Sequence, residues 1–519
     1  MAKALKNRAS KQAYISVHQP LLPGFDTPFS TQLNATNRWV VLANKIPWDE
    51  LVSVYRQQMG NHKTGADGIN PRVAIGALII KHMCDLSDRE TVQQMQENMY
   101  MQYFIGYSSF SDEVPFDASL FVLLRSRLGV DQINIINEKI LGLSLEQRHP
   151  PLQKPVDSPP HQQAVEKDQA ATGGEQVKII PVTHQGKMII DATACPQDIR
   201  YPTDLHLLND AREKTEEFID FLHLSSLTLK KPRTYREKAR KIFLKTAQKK
   251  TRSKKEIRQA IKKQLGYLRR NLKNINLLLD QYPIVPFDER QYNYFFVIQT
   301  LYDQQHYMHT QKIHSVEHRI VSIHQPHVRP IVRGKTNANV EFGAKIQVSL
   351  MNGFAFLEDL SWDAFNEGAR LLKAVEQYKK RFGYYPAEVL ADKIYCSRLN
   401  RAKLKELNIT LKAKPLGRPR AGAENHVSPG ERNPIEGKFG QAKTAYGLNR
   451  IKARLRNTSE SWIATIIMVL NLVKLTGQVS YWLYHRCRTY SVQCVVRLLN
   501  CFMNTLMERN DAKLIFTYF

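Results

Sequence analysis

Cysteine is scarce: the chain has six in 519 residues (Cys84, Cys195, Cys396, Cys487, Cys494 and Cys501), none in Cys-x-x-Cys spacing. Neither a zinc ribbon nor a disulfide framework is indicated, and reduced thiols are expected. The last three recur every seven residues, which on a helix makes a buried stripe. Long apolar runs are missing as well. No apolar segment follows Met1-Ala2-Lys3-Ala4-Leu5-Lys6, and the most apolar stretch, Trp462 to Val473, is short for a bilayer span, so a cytosolic protein with no membrane partner is expected. Acidic residues are the third shortage. Their 48 against 75 Lys and Arg leaves a net charge of +27, which calls for a polyanionic partner because each neutralised phosphate releases condensed counterions. Nucleic acid leads, with an anionic membrane surface as the competitor.

At 43% apolar residues the chain has ordinary core-forming material, enough for several domains. From Trp39 to about Gly129 the pattern is helical, with Ser87 or Asp88 able to cap one helix and Pro115 to Leu120 opening another. Short capped helices suit either a helix-turn-helix unit or a bundle, and the basic charge of the whole chain favours DNA. Residues 1–145 are therefore read as an all-α N-terminal DNA-binding domain, and the Pro- and Gln-rich stretch 146–180 as a linker.

Lys187 to Thr193 reads as a short buried strand with Asp191 near its end. A helical insert over about 204–317 follows, and within it Lys230, Lys231, Arg233, Arg236, Lys249 and Lys250 belong to a run of cations with few acids, expected to contact DNA phosphates. Ala344 to Leu350 alternates as a strand, Asn352-Gly353 turns it, and Phe354 to Leu357 returns as a hairpin. A helix over Ser361 to Phe382 stopped by Gly383 comes next. Then follow a strand ending in Asp392, a helix over Ser397 to Glu406, and a strand over Ile409 to Lys414. The last helix is expected to start with Asn433 as cap and Pro434 in its first turn, so that Glu436 and Lys443, two turns apart, share a face, with Arg432 in the loop before it.

If these strands are neighbours in one mixed sheet, Asp191 and Asp392 emerge at adjacent strand ends, and the last helix brings a third carboxylate, Glu436. Converging carboxylates need a cation, and hard oxygen ligands select two Mg²⁺ ions, with Mn²⁺ able to substitute. Such a pair performs in-line displacement at a phosphodiester, with Arg432, Lys438 and Lys443 left to hold phosphates.

These residues resemble the DDE transposases of bacterial insertion sequences, most closely insertion-sequence family five within the broader family-four-like group. Asp191-Ala192-Thr193 with Tyr201-Pro202-Thr203-Asp204-Leu205 is similar to that family's first-aspartate region, and Leu390-Ala391-Asp392-Lys393-Ile394-Tyr395 to its second. Arg432-x3-Glu436-x6-Lys443 matches the spacing of its Tyr-x2-Arg-x3-Glu-x6-Lys signature, with Pro429 where the tyrosine would stand. The resemblance implies a ribonuclease-H-like α/β catalytic domain over 181–476 that carries the insert, with Asp191, Asp392 and Glu436 as catalytic metal ligands. It implies hydrolysis at the element's terminal inverted repeats in double-stranded DNA and joining of the 3′-hydroxyls to target DNA. A homodimer or higher self-association in a synaptic complex, and a place beside nucleoid DNA in the bacterial cytoplasm, are expected with it. A metal-dependent nuclease or domesticated transposase without strand transfer, and a non-catalytic DNA-binding regulator, are the alternatives. Residues 477–519 carry no motif.

Overall fold

The computed structural model describes Phe29 and residues 33–59, 68–146, 184–225, 230–335, 338–414 and 429–477. The seven-residue cysteine stripe and most of the expected linker lie outside these.

Among the described residues seven α-helices precede the sheet: α1 (Arg38–Lys45), α2 (Trp48–Gln57), α3 (Pro71–Cys84), α4 (Asp88–Glu97), α5 (Met99–Phe104), α6 (Leu120–Arg127) and α7 (Val130–Glu146). Their starts follow local chemistry. Asn70 caps α3 with Pro71 in its first turn, and Ser87 forms a reciprocal capping box with Glu90 at α4.

Strand β1 (Lys187–Pro196) leads into the insert, α8 (Asp204–Ser225), α9 (Arg236–Ala247), α10 (Lys254–Leu279) and α11 (Glu289–Gln311). The insert has its own core, in which Leu208, Ile219, Leu268, Ile275 and Leu301 are buried together. After it come β2 (Arg329–Lys335), β3 (Ala338–Met351), β4 (Phe354–Ser361), α12 (Leu371–Phe382), β5 (Glu388–Leu390), α13 (Arg398–Glu406), β6 (Thr410–Lys412), α14 (Pro429–Ala445) and α15 (Arg456–Leu475). The Asn352-Gly353 turn forms with positive φ at both residues, as its sequence demands, and Gly383 ends α12 in the left-handed region.

The six strands among the described residues make one mixed sheet. β1 is central, antiparallel to β3 and parallel to β5, which is in turn parallel to β6, while β2 and β4 pair with β3. Several expectations are corrected here. β1 runs three residues past Thr193 because β3 continues beside it as far as Gly343, and β2 gave no clear alternation. The helix expected from Ser361 begins only at a 3-10 turn, Glu367–Arg370, because Ser361 is still paired to Lys345 in β4.

One face of the sheet carries Met188, Ile190 and Val389 against α12. The other carries Ala344, Ile346 and Val348 against α14 and α15, and the same core continues into α1 to α7. The N-terminal helices are thus fused to the sheet. Buried Asn471 of α15 donates to Asn137 of α7 (2.9 Å) and to the Ala355 carbonyl of β4 (2.7 Å), and accepts from the Ala355 N–H (2.7 Å). Lys81 and Arg125 of the N-terminal helices lie over the Trp462 ring of α15 at 4.7 and 4.9 Å, and both pair with Asp88. By length and composition α15 could cross a membrane, but 83% of its most apolar window is buried inside the protein, which accounts for its apolarity as a core helix.

The chain's positive charge does not reside in these N-terminal helices. Residues 38–146 hold ten Lys and Arg against thirteen Asp and Glu, a net −3, and three of the cations, Arg72, Lys81 and Arg125, are buried. Residues 230–273 of the insert hold nineteen against two, a net +17. The basic character that favoured DNA for the N-terminal region belongs to α9 and α10.

Candidate active site

β1 and β5 set the two aspartates side by side. Ile189 lies opposite Leu390 in the parallel ladder, so Asp191 and Asp392 occupy equivalent positions two residues further on. β5 stops at Leu390 and the chain turns into a 3-10 turn at Lys393–Tyr395. The edge of β1 from Asp191 onward is therefore left open on that side, and both carboxylates have room there.

Arg432 joins them. Its Nη1 donates to Asp392 Oδ1 at 3.1 Å and its Nη2 to Asp191 Oδ2 at 3.3 Å. The Asp191 side chain is 18% exposed and that of Asp392 52%. Burial pushes the Asp191 carboxyl up to about 6; the Ala192 N–H and Arg432 oppose this, while Glu367 and Asp392 reinforce it. A buried carboxylate in this state calls for a positive partner when ionised, and Arg432 supplies one.

The position of Arg432 departs from expectation. α14 starts at Pro429, so Asn433 is not its cap, Pro434 lies inside it, and Arg432 sits on the helix. At 100° per residue Arg432, Glu436 and Lys443 then fall within about 40° on one face. Ile435, Phe439 and Ala442 on the other side are buried against the sheet, and this packing carries the helix through a proline. Lys438 is about 200° from Glu436 around the helix. It donates to Gln441 at 3.3 Å, and burial, followed by Lys474, lowers its ammonium pKa, so α14 does not bring it to the aspartates.

Glu436 is exposed, and among the described residues it makes no hydrogen bond or ion pair. Nor do any three His, Cys, Asp or Glu side chains among the described residues stand close enough together to hold a metal ion. Two carboxylates and Arg432 are joined here, with Glu436 one helical turn along. The donors are all carboxylate oxygens, the set that suits a hard divalent cation.

The floor of the site holds residues that sequence patterns passed over. Tyr395 is fully buried and accepts a hydrogen bond from Gln347 at 3.2 Å. Gln347 also donates to the Glu367 carbonyl (3.2 Å), and the Glu367 carboxylate pairs with Lys345 at 2.8 Å. Burial, and then Glu367, push the Tyr395 phenol far up. Tyr395 could have been found from its place three residues after Asp392; Glu367 had no such signal.

On the insert, Lys230, Arg233 and Lys250 are exposed and without an ion pair among the described residues. Lys231 and Arg236 share Asp220 at 2.9 and 2.8 Å, and Lys249 pairs with Glu256 at 2.5 Å.

Residues 28–127 match a transposase domain family, and residues 389–473, which include Asp392 and Glu436, match a transposase DDE domain family. An uncharacterized protein of Rhizobium meliloti, ORF8 in the nfe locus, is 33% identical over 117 residues, which is 22% of this chain. The match spans about half of that relative, 52% of its length. No solved structure matches the chain.

Proposed function

We propose that this chain, which the two domain matches place among the insertion-sequence DDE transposases, binds the terminal inverted repeats of its own element, hydrolyses the phosphodiesters there, and joins the freed 3′-hydroxyls to target DNA. The observation that carries the proposal is the joining of Asp191 and Asp392 through Arg432, on the helix face that also bears Glu436 and Lys443.

The strand order supports a ribonuclease-H-like catalytic domain: an antiparallel β1-β3-β4 meander with β5 and β6 added parallel to β1. That domain spans 181–476 with its insert at 204–317, and the helices of 1–145 pack onto it. Within insertion sequences, family five is the assignment its signature spacing supports.

Asp191, Asp392 and Glu436 are the proposed holders of divalent metal, Mg²⁺ with Mn²⁺ as substitute. Two bound ions supply activation of the attacking oxygen and charge stabilisation of the leaving one. The chain's own residues do the rest. Burial of Asp191 keeps water from competing for its oxygens. Arg432, aimed between the aspartates, and Lys443, on the same helix face, orient the non-bridging phosphate oxygens and offset the charge that builds on them. The cations of α9 and α10 hold the duplex by its backbone, a contact that fixes position without reading sequence. Self-association in a synaptic complex on bacterial DNA completes the proposal.

The test is cleavage and joining on labelled DNA carrying the element's terminal repeats, in Mg²⁺ and in EDTA, with native protein and Glu436→Gln. Metal-dependent joined products that vanish in the variant are expected. Cuts without joining would identify a nuclease, and binding without cuts a regulator.

A further inference from the structure

A cleft of about 1280 Å³ opens past the C-terminal end of β1, between the insert and the segments that lead into β2 and α15. It begins on the order of 16 Å beyond Asp191, from five residues of strand at ~3.3 Å each. Its walls come from residues 198–202, from α8 and α11, from 321–327, and from 454–456 at the start of α15. The volume exceeds the roughly 300–1,000 Å³ of a small-molecule site.

Two properties of the lining point to one ligand chemistry. Arg200 and Arg454 are exposed and unpaired among the described residues, whereas Arg456 is engaged by Glu460 at 2.9 Å and Lys214 by Glu217 at 2.5 Å. Tyr201, beside Arg200, is 69% exposed, and Phe342 meets its ring edge to face at 5.5 Å. Exposed guanidinium groups suit phosphates, and an exposed aromatic ring suits the face of a base. A base-paired duplex keeps its base faces stacked inside, so only unpaired nucleotides can use both.

We propose that this cleft binds single-stranded DNA, holding unpaired nucleotides of the same DNA whose scissile phosphate lies at Asp191 and Asp392. Arg200 and Arg454 take the backbone, and Tyr201 stacks on a base. The proposal rests on the transposase reading for the identity of that DNA.

The experiment measures anisotropy of three labelled DNAs on the full chain: a single strand of about 12 nucleotides, the terminal-repeat duplex, and that duplex with a single-stranded extension. Tyr201→Ala is expected to weaken the single strand and the extended duplex by about 5- to 150-fold, the worth of one stacked base. Tyr201→Phe should retain binding, and Arg200→Ala with Arg454→Ala should weaken the same two ligands. The blunt duplex should bind all variants as it binds native protein. Unchanged single-strand binding in these variants, equal losses on the blunt duplex, or a Phe variant as weak as the Ala one would overturn the proposal. Native protein that binds single strands through Tyr201 but not the terminal repeats would leave the cleft standing and remove the transposase reading. Native protein that binds none of the DNAs would remove both.

Discussion

Replacing Asp191 by Asn tests the electrostatics of the candidate site without any DNA. In the folded protein the Asp191 carboxyl is held at about 6 against an ordinary 3.8, chiefly by burial. At 1.36 kcal/mol per unit, that difference is on the order of 3 kcal/mol disfavouring the ionised form, an upper bound. The folded state grips the proton more tightly than the unfolded chain. The stabilisation is therefore fully present below about pH 4 and lost as pH rises through about 6. At neutral pH and without metal the native protein bears this cost. Asp191→Asn removes it, and because the pull of Arg432 already acts on the carboxyl held at about 6, a net gain of about 1–3 kcal/mol is expected. The measurement is thermal or urea unfolding in EDTA at about pH 7 and again near pH 4.5, where the gap should shrink. Mg²⁺ should then raise the stability of native protein and not of the variant. A variant less stable than native protein at neutral pH, or a gap independent of pH, would refute the reasoning and make Asp191 an anchor for Arg432 only.

Three further predictions follow from particular contacts. Asn471→Ala strips partners from the Ala355 N–H and from Asn137; at ~1–3 kcal/mol per buried unpaired group it should cost roughly 2–4 kcal/mol. The loss should appear as one unfolding transition shared by the N-terminal helices and the sheet, whereas two separate transitions would contradict a common core. A Cβ on Gly343 would lie 2.0 Å from the Cys195 carbonyl oxygen, where only backbone could give way. Gly343→Ala should thus cost at least ~3 kcal/mol and abolish DNA cleavage through loss of β1 pairing, as checked by circular dichroism and the cleavage assay. Replacing Lys230, Arg233 and Lys250 together by Ala should lower the slope of log affinity against log salt by up to ~3, near 0.9 per phosphate contact. An unchanged slope would place the duplex elsewhere.

Much of the fold was legible in local sequence. Ser87 with Glu90 dictated a helix start, Asn352-Gly353 a hairpin, and Gly383 a helix end, because each fixes backbone geometry within a few residues. The strand bearing Asp191 and the strand that leads into Asp392 were visible as apolar runs, and the charge of the insert could be counted directly.

Tertiary structure decided the rest. Asn433-Pro434 is a good local start for a helix, yet Ile435, Phe439 and Ala442 buried on the sheet hold α14 helical from Pro429, and only that places Arg432 between the aspartates. Glu367 approaches Asp191 through the 3-10 turn beside β3, from a position in the chain far from it, and Lys345 of β3 pairs with it there. The N-terminal helices looked like a separate DNA-binding domain because helical period and the charge of the whole chain carry no information about which faces meet. Their apolar faces close around α15, itself apolar on every side, and fuse them to the sheet. Pattern in the chain specifies which residues prefer burial, a helix or a turn; packing selects the partner, and with it which charged groups come together.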